Sequence, residues 1–183
     1  DISVKREACP LGLAPTASTA ASLAMGDALA LALLEKRNFK VEDYAFFHPG
    51  GNLGRKFLKV KDLMRKGTGN PVGSENAPVK EVLLVITGCR AGAASIVNKK
   101  GKLTGIFTDG DLRRYLGKDR NLLENPVKLV MTKDPRVTRP GALVSEALHW
   151  LREKKIDELP VVDRFNRPLG MLDVQDIIKR GVI

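Results

Sequence analysis

Gly105-Ile106-Phe107-Thr108-Asp109-Gly110-Asp111-Leu112 returns 65 residues later (105 to 170) as Gly170-Met171-Leu172-Asp173-Val174-Gln175-Asp176-Ile177, keeping the glycine, the two apolar residues after it and the closing Asp-apolar pair. The same offset carries Val79-Lys80-Glu81-Val82-Leu83 onto Val144-Ser145-Glu146-Ala147-Leu148, and Ile96-Val97-Asn98 onto Val161-Val162-Asp163. Val60 to Met64 matches Val127 to Met131 at an offset of 67, so the first copy holds two extra residues in its following loop. A repeat of this length marks a duplicated supersecondary unit. One such unit is too small to bury its apolar face well, and two packed face to face can do so.

Each copy has the same grammar. A short segment ending in Met64 or Met131 leads through a Pro- or Gly-rich loop to a helical period, Val79, Val82, Leu83, Ile86 and then Val144, Ala147, Leu148, Leu151. Ala77-Pro78 and Ser145 stand near the starts of those helices. Two short apolar strands follow in each, Ala93–Asn98 with Leu103–Thr108, and Glu158–Asp163 with Leu169–Asp173, joined by Lys99-Lys100-Gly101 and Arg164-Phe165-Asn166. A last helix closes each unit, from Asp109 to about Leu116 and from Val174 to about Arg180. Met64 and Met131 read as core fillers.

Composition bounds the rest. Apolar residues make up 43% and charged residues 28%, which excludes disordered and fibrous classes and implies a packed core. The net charge of +10 suits anionic partners in general. Much of the excess lies in Arg55, Lys56, Lys59, Lys61, Arg65 and Lys66, with no aromatic platform beside it, so it reads as a solvated connector and not as a nucleic-acid patch. Cys9 and Cys89 form no metal-like spacing with His48 and His149, so no metal is expected and a reducing, cytoplasmic compartment is the default. The apolar run Leu23 to Leu34 is interrupted by Asp27 and reads as shorter than the ~20 residues of a spanning helix, so no membrane partner is expected. Ile2 and Val4 read as a strand entered from upstream, as in the C-terminal portion of a longer protein.

The head of the chain differs from the repeat. Leu11 to Thr19 is a small-residue, hydroxyl-rich loop that runs into an Ala/Leu-rich helix from about Ala20 to Lys36. Local chemistry makes Ser18 or Thr19 an N-cap, at a helix start that could also take an anion. Apolar on most faces, that helix must be covered by a larger domain or an oligomer interface. His48, presented on a Pro49-Gly50-Gly51 turn, reads locally as structural.

The two repeated segments resemble those of the CBS (cystathionine β-synthase) domain pair, over roughly Val60 to Ile183. The resemblance implies an α/β arrangement of tandem βαββα modules with pseudo-twofold symmetry, over about residues 57–121 and 122–183. It also implies nucleotide contacts by Thr108 and Asp111, and by Asp173 and Asp176 in the second copy. Asp173 stands where the pattern has Thr, and a second carboxylate repels phosphate, so one competent site, or a shifted one, is expected instead of two equal ones. The alternative is that these aspartates only cap or bridge.

Arg6-Glu7-Ala8-Cys9-Pro10, Leu13-Ala14-Pro15-Thr16-Ala17-Ser18-Thr19 and His48-Pro49-Gly50-Gly51-Asn52-Leu53-Gly54-Arg55 together resemble the end of the SIS (sugar isomerase) domain of D-arabinose 5-phosphate isomerases, which join one SIS domain to a CBS pair. Residues 1–56 are then the C-terminal strand and helices of an α/β SIS domain with its linker. The resemblance implies an aldose–ketose isomerase interconverting D-ribulose 5-phosphate and D-arabinose 5-phosphate for lipopolysaccharide synthesis. Glu7 is implied as acid/base and His48 in ring opening or proton shuttling, in either order, with Thr16, Ser18 and Thr19 as walls of the phosphosugar pocket. It needs no cofactor. It implies a tetramer built from SIS contacts, with CBS pairs meeting in twos, and a nucleotide or CMP-sugar effector. The family's lysine, second glutamate and phosphate loop are missing here, so this polypeptide alone is expected not to turn over substrate. The other reading is a non-catalytic CBS sensor whose SIS remnant only oligomerises.

Overall fold

The structure is a computed structural model that describes residues 1–47 and 51–181. It divides into two compact units, Asp1–Pro49 and Gly50–Ile183.

The first unit holds α1 (Ala17–Lys36) and α2 (Val41–Phe47), with Phe39 stacked on Phe47 at 6.2 Å between ring centres. Residues 1–4 are not a strand, contrary to the reading of Ile2 and Val4. A strand exists only where a neighbour takes its backbone hydrogen bonds, and no strand lies in the described part of this unit. Helix α1 begins three residues earlier than its apolar pattern suggested, capped at Thr16 and not at Ser18 or Thr19. At 20 residues it has the length and composition to cross a membrane, which corrects the reading of Leu23 to Leu34 as too short. None of its residues is buried, and leucines project on several faces: Leu23, Leu29, Leu31 and Leu33 are all more than half exposed.

The second unit runs α3 (Asn52–Lys56), α4 (Val60–Leu63), β1 (Val72–Ser74), α5 (Val79–Gly88), β2 (Ala93–Val97), β3 (Leu103–Thr108), α6 (Asp109–Leu116), β4 (Thr132–Lys133), α7 (Val144–Lys154), β5 (Glu158–Val162), β6 (Pro168–Asp173) and α8 (Val174–Lys179). Strands β1 to β4 form one sheet in that order; β5 and β6 form a second. The duplication extends to single hydrogen bonds. Antiparallel β2–β3 pairs Ala93 with Thr108 and slips register between Ile96 and Val97; β5–β6 pairs Glu158 with Asp173 and slips between Val161 and Val162. Parallel pairing of Gly73 with Ile96 recurs as the bridge of Thr138 with Val161. In the two hairpin turns Asn98 Oδ1 accepts from Lys100 N and Lys102 N, and Asp163 Oδ1 from Phe165 N and Arg167 N. Gly101 and Asn166 take the left-handed conformation there (φ 72° and 64°), which glycine and asparagine tolerate best.

The opening segments of the two copies are exchanged. Val60 belongs to the core of Val144, Ala147, Leu151 and Leu172, whereas Val127 and Val130 belong to that of Val79, Val82 and Phe107. Backbone bonds match across the exchange: Val60 N donates to Ala142 O and Val144 N to Leu58 O, as Val127 N does to Ala77 O and Val79 N to Asn125 O. Arg65 pairs with Met171 on β6 as Thr132 pairs with Ile106 on β3. Ala93, Ile106 and Met171 join the two halves in a small central cluster.

Both crossings depend on a glycine. A Cβ on Gly105 would lie 2.9 Å from the Thr132 carbonyl oxygen, and one on Gly170 would meet the Arg65 carbonyl oxygen. Because each obstacle is backbone, Gly105→Ala and Gly170→Ala should each lower the unfolding free energy by about 1–3 kcal/mol in urea titrations.

Candidate functional site

An open cleft of about 480 Å³ lies where the copies meet, between the start of α6, β4 and the approach to β5. Thr108 caps α6: its Oγ1 accepts from Asp111 N at 3.1 Å, and Asp111 Oδ2 in return accepts from Thr108 N at 3.1 Å. Asp111 is 1% exposed, and its other oxygen accepts from Arg114 Nη1 at 2.7 Å and Thr132 Oγ1 at 3.3 Å. The expected pair Thr108 and Asp111 is thus brought together, and it caps the helix as well as bordering the cleft. Around the pair stand Arg113, Arg114, Arg136 and Lys155, against Asp109, Asp157 and Glu158, with Ile106, Ile156 and Pro135 as apolar wall. The Arg136 guanidinium rests 4.0 Å from the centre of the Trp150 ring, a cation–π contact that steadies it at the rim. Burial pushes the Glu158 carboxyl up to about 7, reinforced by Asp173, Asp157 and Asp109 and opposed by Arg65.

The mirror-related end is occupied by the protein itself. Asp173 caps α8 through Gln175 N. Arg65 Nη2 reaches Asp173 Oδ2 at 2.7 Å, and its Nε reaches Asp176 Oδ2 at 2.6 Å. Arg65 Nη1 also donates to the carbonyls of Cys89 and Arg90, so one guanidinium ties the second copy to the end of α5. Thr132 is the residue in the corresponding place at the open cleft. A threonine there leaves space; an arginine fills it and bridges both aspartates. Asp173 and Asp176 therefore do not line the open cleft with Thr108 and Asp111.

In the first unit the structure brings Glu7, Thr16 and Ser18 together. Glu7 Oε2 accepts from Thr16 N at 2.7 Å, Thr16 Oγ1 at 3.1 Å and Ser18 N at 3.3 Å, while Thr16 Oγ1 accepts from Ala8 N. The carboxylate stands in for a capping side chain at the start of α1. Bonds from the Ser18 side chain and the Thr16 backbone hold its pKa down to about 2. Thr19 turns away, its hydroxyl donating to Pro15 O and Thr16 O. His48 lies outside the described residues.

The sequence reading put Arg65 in a solvated connector, which its 16% exposure and two ion pairs correct, and it missed the roles of Arg65, Arg136, Lys155 and Glu158. Two of them could have been found from the repeat: extending the match past Met64 and Met131 sets Arg65 against Thr132, and the 65-residue offset sets Glu158 against Ala93. Arg136 and Lys155 stand in loops with no marked pattern.

The CBS domain family model matches residues 60–118 and 127–182, the two copies described above. The chain belongs to the CBS domain family. Among solved structures, this CBS pair is similar to the CBS domain pair of protein MJ0100 in complex with 5′-methylthioadenosine and S-adenosyl-L-methionine, with TM-score 0.61 and 23% identity over 67% of this chain and 94% of that one. It is also similar to CBS domain protein PAE2072 from Pyrobaculum aerophilum complexed with AMP, with TM-score 0.58 and 20% identity over 65% and 89% of the two chains. At such identities the likeness is one of fold. Along its whole length the chain is 45% identical to arabinose 5-phosphate isomerase KdsD of Pseudomonas aeruginosa, and it spans 56% of that protein's length.

Two outcomes are expected. Arg65→Ala leaves Asp173, with its side chain only 8% exposed, without its cation and Asp176 with Lys179 alone at 3.8 Å, and urea unfolding should show a loss of about 2–4 kcal/mol. Glu7, held below its ordinary value, favours the folded loop above the unfolded midpoint of 4.5 and ceases to do so as pH falls toward 2. Carboxyl carbon NMR should therefore find a midpoint near 2, and in Ser18→Ala a midpoint closer to 4.5.

Proposed function

We propose that this chain is the C-terminal part of an aldose–ketose isomerase that interconverts D-ribulose 5-phosphate and D-arabinose 5-phosphate, with its CBS pair sensing a nucleotide or nucleotide-sugar. What supports this reading is the full-length match to arabinose 5-phosphate isomerase KdsD, joined to an open cleft bordered by Thr108 and Asp111. The parent enzyme works in the cytoplasm on a phosphosugar, supplies lipopolysaccharide synthesis, and assembles as a tetramer with CBS pairs meeting in twos. Residues 1–56 are the end of its SIS domain, and 57–121 and 122–183 are the two CBS modules. The exposed leucines of α1 are then covered by the rest of the SIS domain and by neighbouring subunits. Asp27 in the middle of that helix favours protein over lipid as the cover, since an ionised carboxylate at a bilayer centre costs about 2.5–3.5 kcal/mol.

Glu7 and His48 are the catalytic pair in this reading, with Thr16, Ser18 and Thr19 beside the phosphosugar. A carboxylate held near 2 is a poor base at neutral pH, so Glu7 must exchange its bonds to Thr16 and Ser18 for bonds to substrate before it moves a proton. In the CBS cleft the ribose hydroxyls replace the long Thr132 bond to Asp111, and the phosphate meets Arg114 and Lys155. Arg114, 59% exposed and bonded to Asp111 through Nη1 alone, has its other guanidinium nitrogens left to meet the phosphate. With Arg65 held on Asp173 and Asp176, the reading gives one ligand per chain.

Isothermal titration of the chain with AMP should give one site, and Arg114→Ala with Lys155→Ala should weaken it about tenfold when measured well below the variant's own melting midpoint. Two equal sites, or no binding by AMP or any cytidine nucleotide, would sink the sensor reading. Native-like turnover of D-arabinose 5-phosphate by these 183 residues alone would sink the placement of the chain as an incomplete part of the enzyme.

A further inference from the structure

We propose, resting on the nucleotide reading of the cleft, that Glu158 is a proton gate on that cleft: anionic ligands bind tightly when its carboxyl is protonated and weakly when it is ionised. Glu158 is the first residue of β5 and lines the cleft, where the repeat would put Ala93, a buried apolar residue. Its carboxylate occupies the space that Gly92 leaves, since a Cβ there would meet Glu158 Oε1. An ionisable side chain has thus been introduced at a position its twin keeps neutral, at the meeting of the two copies.

Of the charged groups that act on its carboxyl, three are carboxylates and one is a guanidinium, while Arg113 and Arg114 stand on the α6 side of the same cleft. Asp173 faces it across the β5–β6 ladder, Asp157 precedes it in the chain, and Asp109 stands at the start of α6. Arg65 is the cation that acts on it, and that guanidinium is already engaged by Asp173 and Asp176. Lys155 and Arg136 line the same cleft. An arriving phosphate adds a further negative charge to this group, and protonating Glu158 relieves the repulsion. The carboxyl is poised for this because desolvation and the three aspartates already raise its titration to about 7. Linkage then requires reciprocity: an anion that prefers protonated Glu158 must itself raise the Glu158 midpoint.

The test uses the 183-residue chain, AMP as probe, and the Glu158→Gln variant as a permanently neutral reference. Because the AMP phosphate changes charge near pH ~6, affinities of the two proteins are compared at each pH and not between pH values. E158Q should bind AMP about fivefold more tightly than wild type near pH ~8 and within about twofold of it near pH ~6. In wild type the Glu158 carboxyl carbon should titrate near neutrality, and its midpoint should rise when AMP is added. Equal affinities at both pH values, or a midpoint in the ordinary carboxylate range or unmoved by AMP, would overturn the gate and leave the nucleotide site standing. Absence of binding of AMP and of every cytidine nucleotide in both proteins at every pH would overturn the sensor reading and the gate with it; a cytidine nucleotide that binds where AMP does not takes its place as probe.

Discussion

The second unit hangs on a reciprocal crossing of backbones, in which each copy's opening segment leaves its own half and packs against the other's inner strand. The crossing needs a strand residue without a side chain at the point of contact, and Gly105 and Gly170 supply it, with Met131 and Met64 filling the space beside them. Val60 and Val127, both fully buried, are the anchors that the exchange delivers to the opposite cores. Neither half therefore has a complete core alone. Ligand-sized space arises at the junction because two strand ends and two helix starts converge there around a small central cluster.

The duplication, and with it most of the fold, was legible because it is written in apolar periods and turn residues, which report local geometry directly. Helix α6 and strand β3 have the bounds read from their residues, and the hairpin turns fall where Gly101 and Asn166 stand. The exchange of opening segments was not legible. Val60 and Val127 carry the same apolar signal whichever core receives them, and nothing local distinguishes the two destinations. Two expectations at the head of the chain fail for a related reason. The supposed strand at Ile2 and Val4 lacks a neighbour, and the cap of α1 comes from Glu7, ten residues before the helix begins, through a carboxylate that no cap rule would search for.

The site was half legible. Thr108 and Asp111 follow from a pattern whose spacing forces them into one capping box, so their meeting is a property of a single helix turn. Asp173 and Asp176 have the same spacing as seen from the sequence, yet their environment is set by Arg65, more than a hundred residues away in the chain. Spacing can place two carboxylates on one turn; it cannot say which distant cation will reach them.

Where the two copies agree and where they differ separates folding from function. Apart from Asp111 with Asp176 and Glu81 with Glu146, the agreements are apolar or conformational: the paired glycines and methionines, the valines at the helix starts, the register slips, the turn asparagine and aspartate. The differences are charged and concentrated at the junction. Arg65 answers Thr132, Asp157 answers Gly92, Glu158 answers Ala93, and Asp173 answers Thr108. None of these changes is needed to close the fold, because the partner copy folds the same way with the other residue. Together they close one end with an ion-paired arginine and leave the other open beside a carboxyl that titrates near neutrality. A symmetric pair would bind the same ligand twice with the same strength. Breaking the symmetry in charge alone ties one end through Arg65 and leaves the other an open cleft lined by Glu158, which Asp173 faces across the β5–β6 ladder.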